Sequence, residues 1–111
     1  MEQFIEYCRA GDLINAQKYS DGLNLACIER AFCFSCRFGH IEMIKYLISL
    51  KDKYGQINIH ASNEHAFRFS CEGGHFEVIK YLISLKDEYG PINIHAYDED
   101  GFRASCERGR L

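Results

Sequence analysis

AFCFSCRFGHIEMIKYLISLKDKYGQINIHASNEH, residues 31–65, runs without a gap into AFRFSCEGGHFEVIKYLISLKDEYGPINIHAYDED, residues 66–100, and the two stretches are identical at 25 of 35 positions. A further copy opens at Gly101 as GFRASCERGRL. Upstream, QFIEYCRAGDL from Gln3 aligns with the same opening, Cys8 on Cys36 and Gly11 on Gly39. Self-similarity at a fixed period is the signature of a repeat array. The units run approximately 3–30, 31–65 and 66–100, with a partial unit over 101–111, and together they form a single domain.

Within a unit the signals are those of two helices and a loop. Phe, Ser and Cys between Phe67 and Cys71 supply the inward face of a short first helix, and Gly74 stands where a left-handed residue closes it; Gly39 and Gly109 repeat the stop. Phe76, Ile79, Leu82 and Ile83, like Ile41, Ile44, Leu47 and Ile48, follow i, i+3, i+6, i+7 spacing and predict an apolar stripe on a second helix. Lys86, Asp87 and Glu88, then Tyr89, Gly90 and Pro91, break that helix. The following Ile92, Asn93 and Ile94 are too few for a sheet and predict an extended arm or hairpin. Such a unit cannot bury its apolar faces alone, so neighbouring copies stack and their outer surface is left for function.

The period, the two short helices and the pairs Gly39-His40 and Gly74-His75 between them, followed by IEMIKYLI and FEVIKYLI, resemble the ankyrin repeat. Ile57-Asn58 and Ile92-Asn93 resemble that family's valine-asparagine step into its loop. The family's threonine-proline-leucine-histidine opening is not present: His65 to Arg68 and Asp100 to Arg103 stand in its place. Asp100 can cap a helix start there, whereas Arg30 and His65 are weaker caps. The resemblance implies an all-α fold, an ankyrin-repeat solenoid of stacked helix-turn-helix units with extended hairpin loops, about three units with a truncated C-terminal repeat.

It also implies a trade. Ankyrin arrays bind other proteins and perform no chemistry, which places the contacts at the hairpin tips, Ser62, Asn63, Glu64, Tyr97, Asp98 and Glu99, and on the concave face of the first helices, Arg68, Glu72, Arg103, Glu107, Cys33 and Arg37. The spelling SLKDKYG and INIHA is similar to ankyrin proteins of giant DNA viruses of amoebae, which implies a host protein as partner and the host cytoplasm as location. Tip residues differ between two copies that otherwise agree, Ser62, Asn63 and His65 against Tyr97, Asp98 and Asp100. Such variation fits partner recognition, although exposed loops also drift freely. Tyr97 is the best single contact, because an aromatic ring offers a large area at low entropic cost.

Composition narrows the rest. The chain has 111 residues, 47% apolar and 26% charged, with one proline and a net charge of −3. These values exclude a multi-domain enzyme, a collagenous chain and a charged disordered one. No apolar run approaches the roughly 18 to 20 residues of a membrane span, and Met1, Glu2 and Gln3 followed by Glu6 resemble neither a secretion signal nor a transit peptide. The expectation is an intracellular, cytoplasmic protein without membrane contact. A slightly acidic chain is also a poor electrostatic match for nucleic acid.

Two further readings compete. Cys33 and Cys36 form a C-x-x-C, a spacing used by redox and zinc sites, but the sequence supplies no second ligand pair. Cys8, Cys36, Cys71 and Cys106 recur once per unit, and stacked helices hold such positions on the order of 8 to 10 Å apart, too far for one tetrahedral metal. His40 and His75 in the turn, and His60 and His95 in the arm, recur in the same way, which predicts architecture rather than catalysis, with no cofactor. Gly73 and Gly74 lack the remainder of a phosphate-cradling loop. The other rival rests on the stop at Leu111, inside a copy: a remnant or fragment of a longer array without independent function, with an open C-terminal end available for self-association.

Overall fold

A computed structural model describes residues 2–92 as eight helices with no strand among them: α1 (Glu2–Ala10), α2 (Leu13–Lys18), α3 (Leu25–Phe38), α4 (Ile41–Ser49), α5 (Lys51–Tyr54), α6 (Ala61–Gly73), α7 (Phe76–Ser84) and α8 (Lys86–Tyr89). The all-helical expectation therefore holds over these residues. The expected contacts Tyr97, Asp98, Glu99, Arg103 and Glu107, and the partial unit over 101–111, lie outside them.

Asn24 sets the start of α3, the longest of the described helices. Its side-chain oxygen accepts from the Cys27 amide at 2.8 Å, satisfying one of the donors a helix start leaves open. From there Cys27, Ile28, Ala31, Phe32, Ser35 and Cys36 form one buried stripe on α3. Arg30, expected at a cap position, is in mid-helix, and so is His65 on α6, because α3 starts after Asn24 and α6 after His60, ahead of the repeat boundaries at residues 31 and 66. On α6 the chain enters through a turn in which Asn58 Oδ1 accepts from the His60 amide at 3.0 Å. Both helices stop at glycine in the left-handed region, Gly39 at φ 77° and Gly74 at φ 68°, where the sequence put the stops.

The second helices follow their apolar spacing. Met43, Ile44, Leu47 and Ile48 are buried on α4, and Val78, Ile79 and Leu82 on α7. Each such side chain contributes about 1.5–3 kcal/mol on leaving water. Residues 51–54 and 86–89 form the short helices α5 and α8 just after the second helices. The expected hairpin is not formed at 57–59, for no strand is available to pair with among the described residues. Ile57 and Ile59 are nevertheless buried, with Asn58 exposed between them.

α3 packs between α1 and α6, and α1, α3 and α6 pack against α2, α4 and α7 respectively. A repeated device joins successive pairs. His40 Nε2 donates to the Arg9 carbonyl at the end of α1, and His75 Nε2 to the Arg37 carbonyl at the end of α3, each at 2.9 Å. These carbonyls belong to last turns, whose acceptors lack helical partners. The rings lie over the preceding turn so closely that a Cβ on Gly11 would stand 2.7 Å from His40, and one on Gly39 2.6 Å from His75. Further ties run from Tyr54 Oη to the Ser20 carbonyl at 2.6 Å and between Lys53 and Asp21 at 2.8 Å.

Candidate functional site

A groove of about 280 Å³ opens between α3 and α6, lined by Glu29, Arg30, Cys33 and Phe34 on one side and Ala61, His65 and Phe69 on the other. Helical geometry places it there. Phe32 belongs to the buried stripe, and Phe34, two residues on, points about 200° around the helix to the outer face. Phe69 occupies the equivalent position on α6. The groove is just below the usual 300–1,000 Å³ range of small-molecule pockets, and suits one inserted side chain.

Arginines from neighbouring units frame the rings. The Arg9 guanidinium lies 4.4 Å from the Phe34 ring centre, and Arg37, its counterpart one unit on, lies 4.9 Å from that of Phe69. Arg30 reaches Phe34 at 5.9 Å, and the His65 and Phe69 rings are 4.2 Å apart. Cation–π contacts of this kind are worth about 0.5–1 kcal/mol each at exposed sites, enough to bias the positions of the rings. Glu29 is anchored by accepting from the Asn58 amide at 2.6 Å.

Cys33 lies in the groove wall, half-buried. Burial, and next the negative charge of Glu29, push its thiol above the ordinary value. The fully buried Cys36 is pushed up further, by burial first and then by Cys33, against a hydrogen bond from Ser70. Burial and then Cys27 raise Cys8 to about 12. Thiols held protonated are poor nucleophiles and poor metal ligands. Cys8, Cys36 and Cys71 are buried at equivalent helix positions, and among the described residues no three His, Cys, Asp or Glu side chains converge in a way that could hold a metal ion.

The structure brings only part of the expected surface together. Cys33 lines the groove and Arg37 reaches it through the Phe69 ring, while Glu72 is exposed near the end of α6 and Arg68 is half-buried on the same helix. Ser62, Asn63 and Glu64, expected at a hairpin tip, instead occupy the first turn of α6. Glu64 is the clearest correction. It is 5% exposed, has φ 61°, and its carboxylate is engaged by His60 Nδ1 at 2.8 Å, so its charge is compensated inside the fold rather than offered outward. Phe34 and Phe69 were missed as surface residues, although their spacing from Phe32 and Phe67 carried the signal. Among the described residues no helix is long and apolar enough to cross a membrane.

Comparison with protein-family models, with curated proteins and with solved structures gives no match to this chain.

Proposed function

We propose that the chain is a short ankyrin-type solenoid that binds a partner protein, without catalysis, through the outer face of α3 and α6. One observation carries this reading. Over residues 31–38 and their equivalents 66–73, Ala31, Phe32, Ser35 and Cys36 recur unchanged and are buried, whereas Cys33, Arg37 and Phe38 become Arg68, Glu72 and Gly73 on half-buried or exposed positions. Phe34 recurs as Phe69 and keeps the aromatic lining of the groove constant. A shared scaffold with a varied rim is the arrangement of a recognition surface, where buried aromatics supply energy and the charged rim supplies selectivity.

Affinity capture with parallel variants tests the reading. A partner held by the wild type and by Glu77→Ala/Lys80→Ala on the exposed side of α7, but lost from Phe34→Ala/Phe69→Ala, is the expected result. Retention by all three removes the groove from the function, and a measured turnover by the purified chain removes the non-catalytic reading. Alanines at Ser62, Asn63, Tyr97, Asp98 and Glu99 test separately the residues expected at the tips.

A further inference from the structure

His60 stands at the start of α6 with both ring nitrogens engaged. Nδ1 is 2.8 and 2.9 Å from the two Glu64 carboxylate oxygens, and Nε2 is 2.7 Å from the Tyr89 carbonyl oxygen at the end of α8. A carbonyl and an ionised carboxylate only accept hydrogen bonds, and a neutral imidazole carries a single N–H. With a carboxylate at Glu64, the two bonds are therefore made together by the imidazolium form alone.

Among the described residues, Glu64 on α6 is the charged side chain facing the ring; α8 and its end contribute backbone, at Tyr89 and Gly90. Partial burial pulls the pKa of His60 down, but the bonds to Tyr89 and Glu64, with the Glu64 charge, outweigh it and leave the net position above 6.5. Leu25 provides an internal comparison. It is the equivalent of His60 one unit earlier, and its Cδ2 is 4.0 Å from the point a Cβ on Gly55 would occupy, as His60 Nε2 is 3.9 Å from that point at Gly90. An apolar residue thus fills this place without titrating.

We propose that His60 is a proton-operated clasp: charged, it ties the first turn of α6 to the end of α8, and on losing its proton it releases one of the two. The inference is independent of the protein-binding reading, though the turn it controls carries Ser62 and Asn63. Because the folded-state pKa is raised, the stabilisation is fully present below pH 6.5, the unfolded value, and is lost as pH rises through the folded one.

The test is a pH titration of the histidine ring nitrogens by NMR on the 111-residue protein, with amide-exchange protection of residues 61–64 followed in parallel. His60 is expected to hold protons on both nitrogens at pH 6.5 and to titrate above it, with protection of 61–64 falling across that titration. Glu64→Gln lowers the midpoint, and His60→Leu, copying the earlier unit, abolishes the pH dependence of protection. A neutral His60 at pH 6.5, or protection of 61–64 unchanged across its titration, overturns the proposal. Should His60→Leu fail to fold, the wild-type and Glu64→Gln titrations decide it.

Discussion

Replacing Gly39 by alanine strikes two features of the stack at once. At φ 77° an L-residue is strained by about 1–2 kcal/mol. In addition, its Cβ would meet the His75 ring at 2.6 Å, with the base of that ring only 2.9 Å away, so the whole imidazole must move. Moving it breaks the 2.9 Å bond to the Arg37 carbonyl, a further loss of about 0.5–1.5 kcal/mol. The sum is about 1.5–3.5 kcal/mol, a large share of the stability of a domain this size. Gly22 is the control, because its φ of 72° imposes the same strain while nothing lies within 4 Å of an added Cβ. Any gain from stiffening the unfolded chain is common to both and cancels in the difference. Urea unfolding of the two variants, with equal slopes, should place Gly39→Ala about 1 kcal/mol below Gly22→Ala, and His75→Ala should erase the gap. Equal costs for Gly39→Ala and Gly22→Ala would refute the histidine device.

Phe32→Ala should cost about 3–5 kcal/mol as a cavity in a fully buried site, whereas Phe34→Ala, two residues along the same helix, should cost under about 1.5 kcal/mol; thermal melts of the pair measure the contrast. Asn24→Ala should cost about 1 kcal/mol through loss of the cap on α3, read by urea unfolding, and no change would mean that the helix start is held by packing alone. Near neutral pH, thiol labelling of the native chain should be far slower than in denaturant, with Cys33 the first described cysteine to react; fast labelling of Cys8 or Cys36 would contradict their raised pKa values and burial.

The second helices were the most legible part of the sequence. Ile44, Leu47, Ile79 and Leu82 sit at helical spacing, and nothing but a helix buries all of them on one side. Gly39 and Gly74 were legible for a similar reason, since a helix stop needs a residue at ease with positive φ. Helix starts were less so. The repeat alignment begins at Ala31, but a period has no intrinsic origin, and Asn24 with Cys27 and Ile28 extends α3 well before it. The residues 61–64 looked like a polar loop because polarity usually marks exposure; the buried Glu64 departs from that rule with His60 bonded to its carboxylate, a pairing that composition does not display. The groove between α3 and α6 required knowing that these two helices adjoin, a relation between units rather than within one.

The position of Cys33 offers the most direct test of binding through this groove. Its equivalents in the following copies are Arg68 and Arg103, so Cys33→Arg places in the groove wall a residue that the repeat itself uses there. Binding of the captured partner to purified wild-type and Cys33→Arg chains, measured by calorimetry alongside a urea melt of each, separates blocked binding from lost folding. Binding at least tenfold weaker, about 1.4 kcal/mol, is expected, with stability nearly unchanged. An unaltered Kd in a folded Cys33→Arg chain would contradict it.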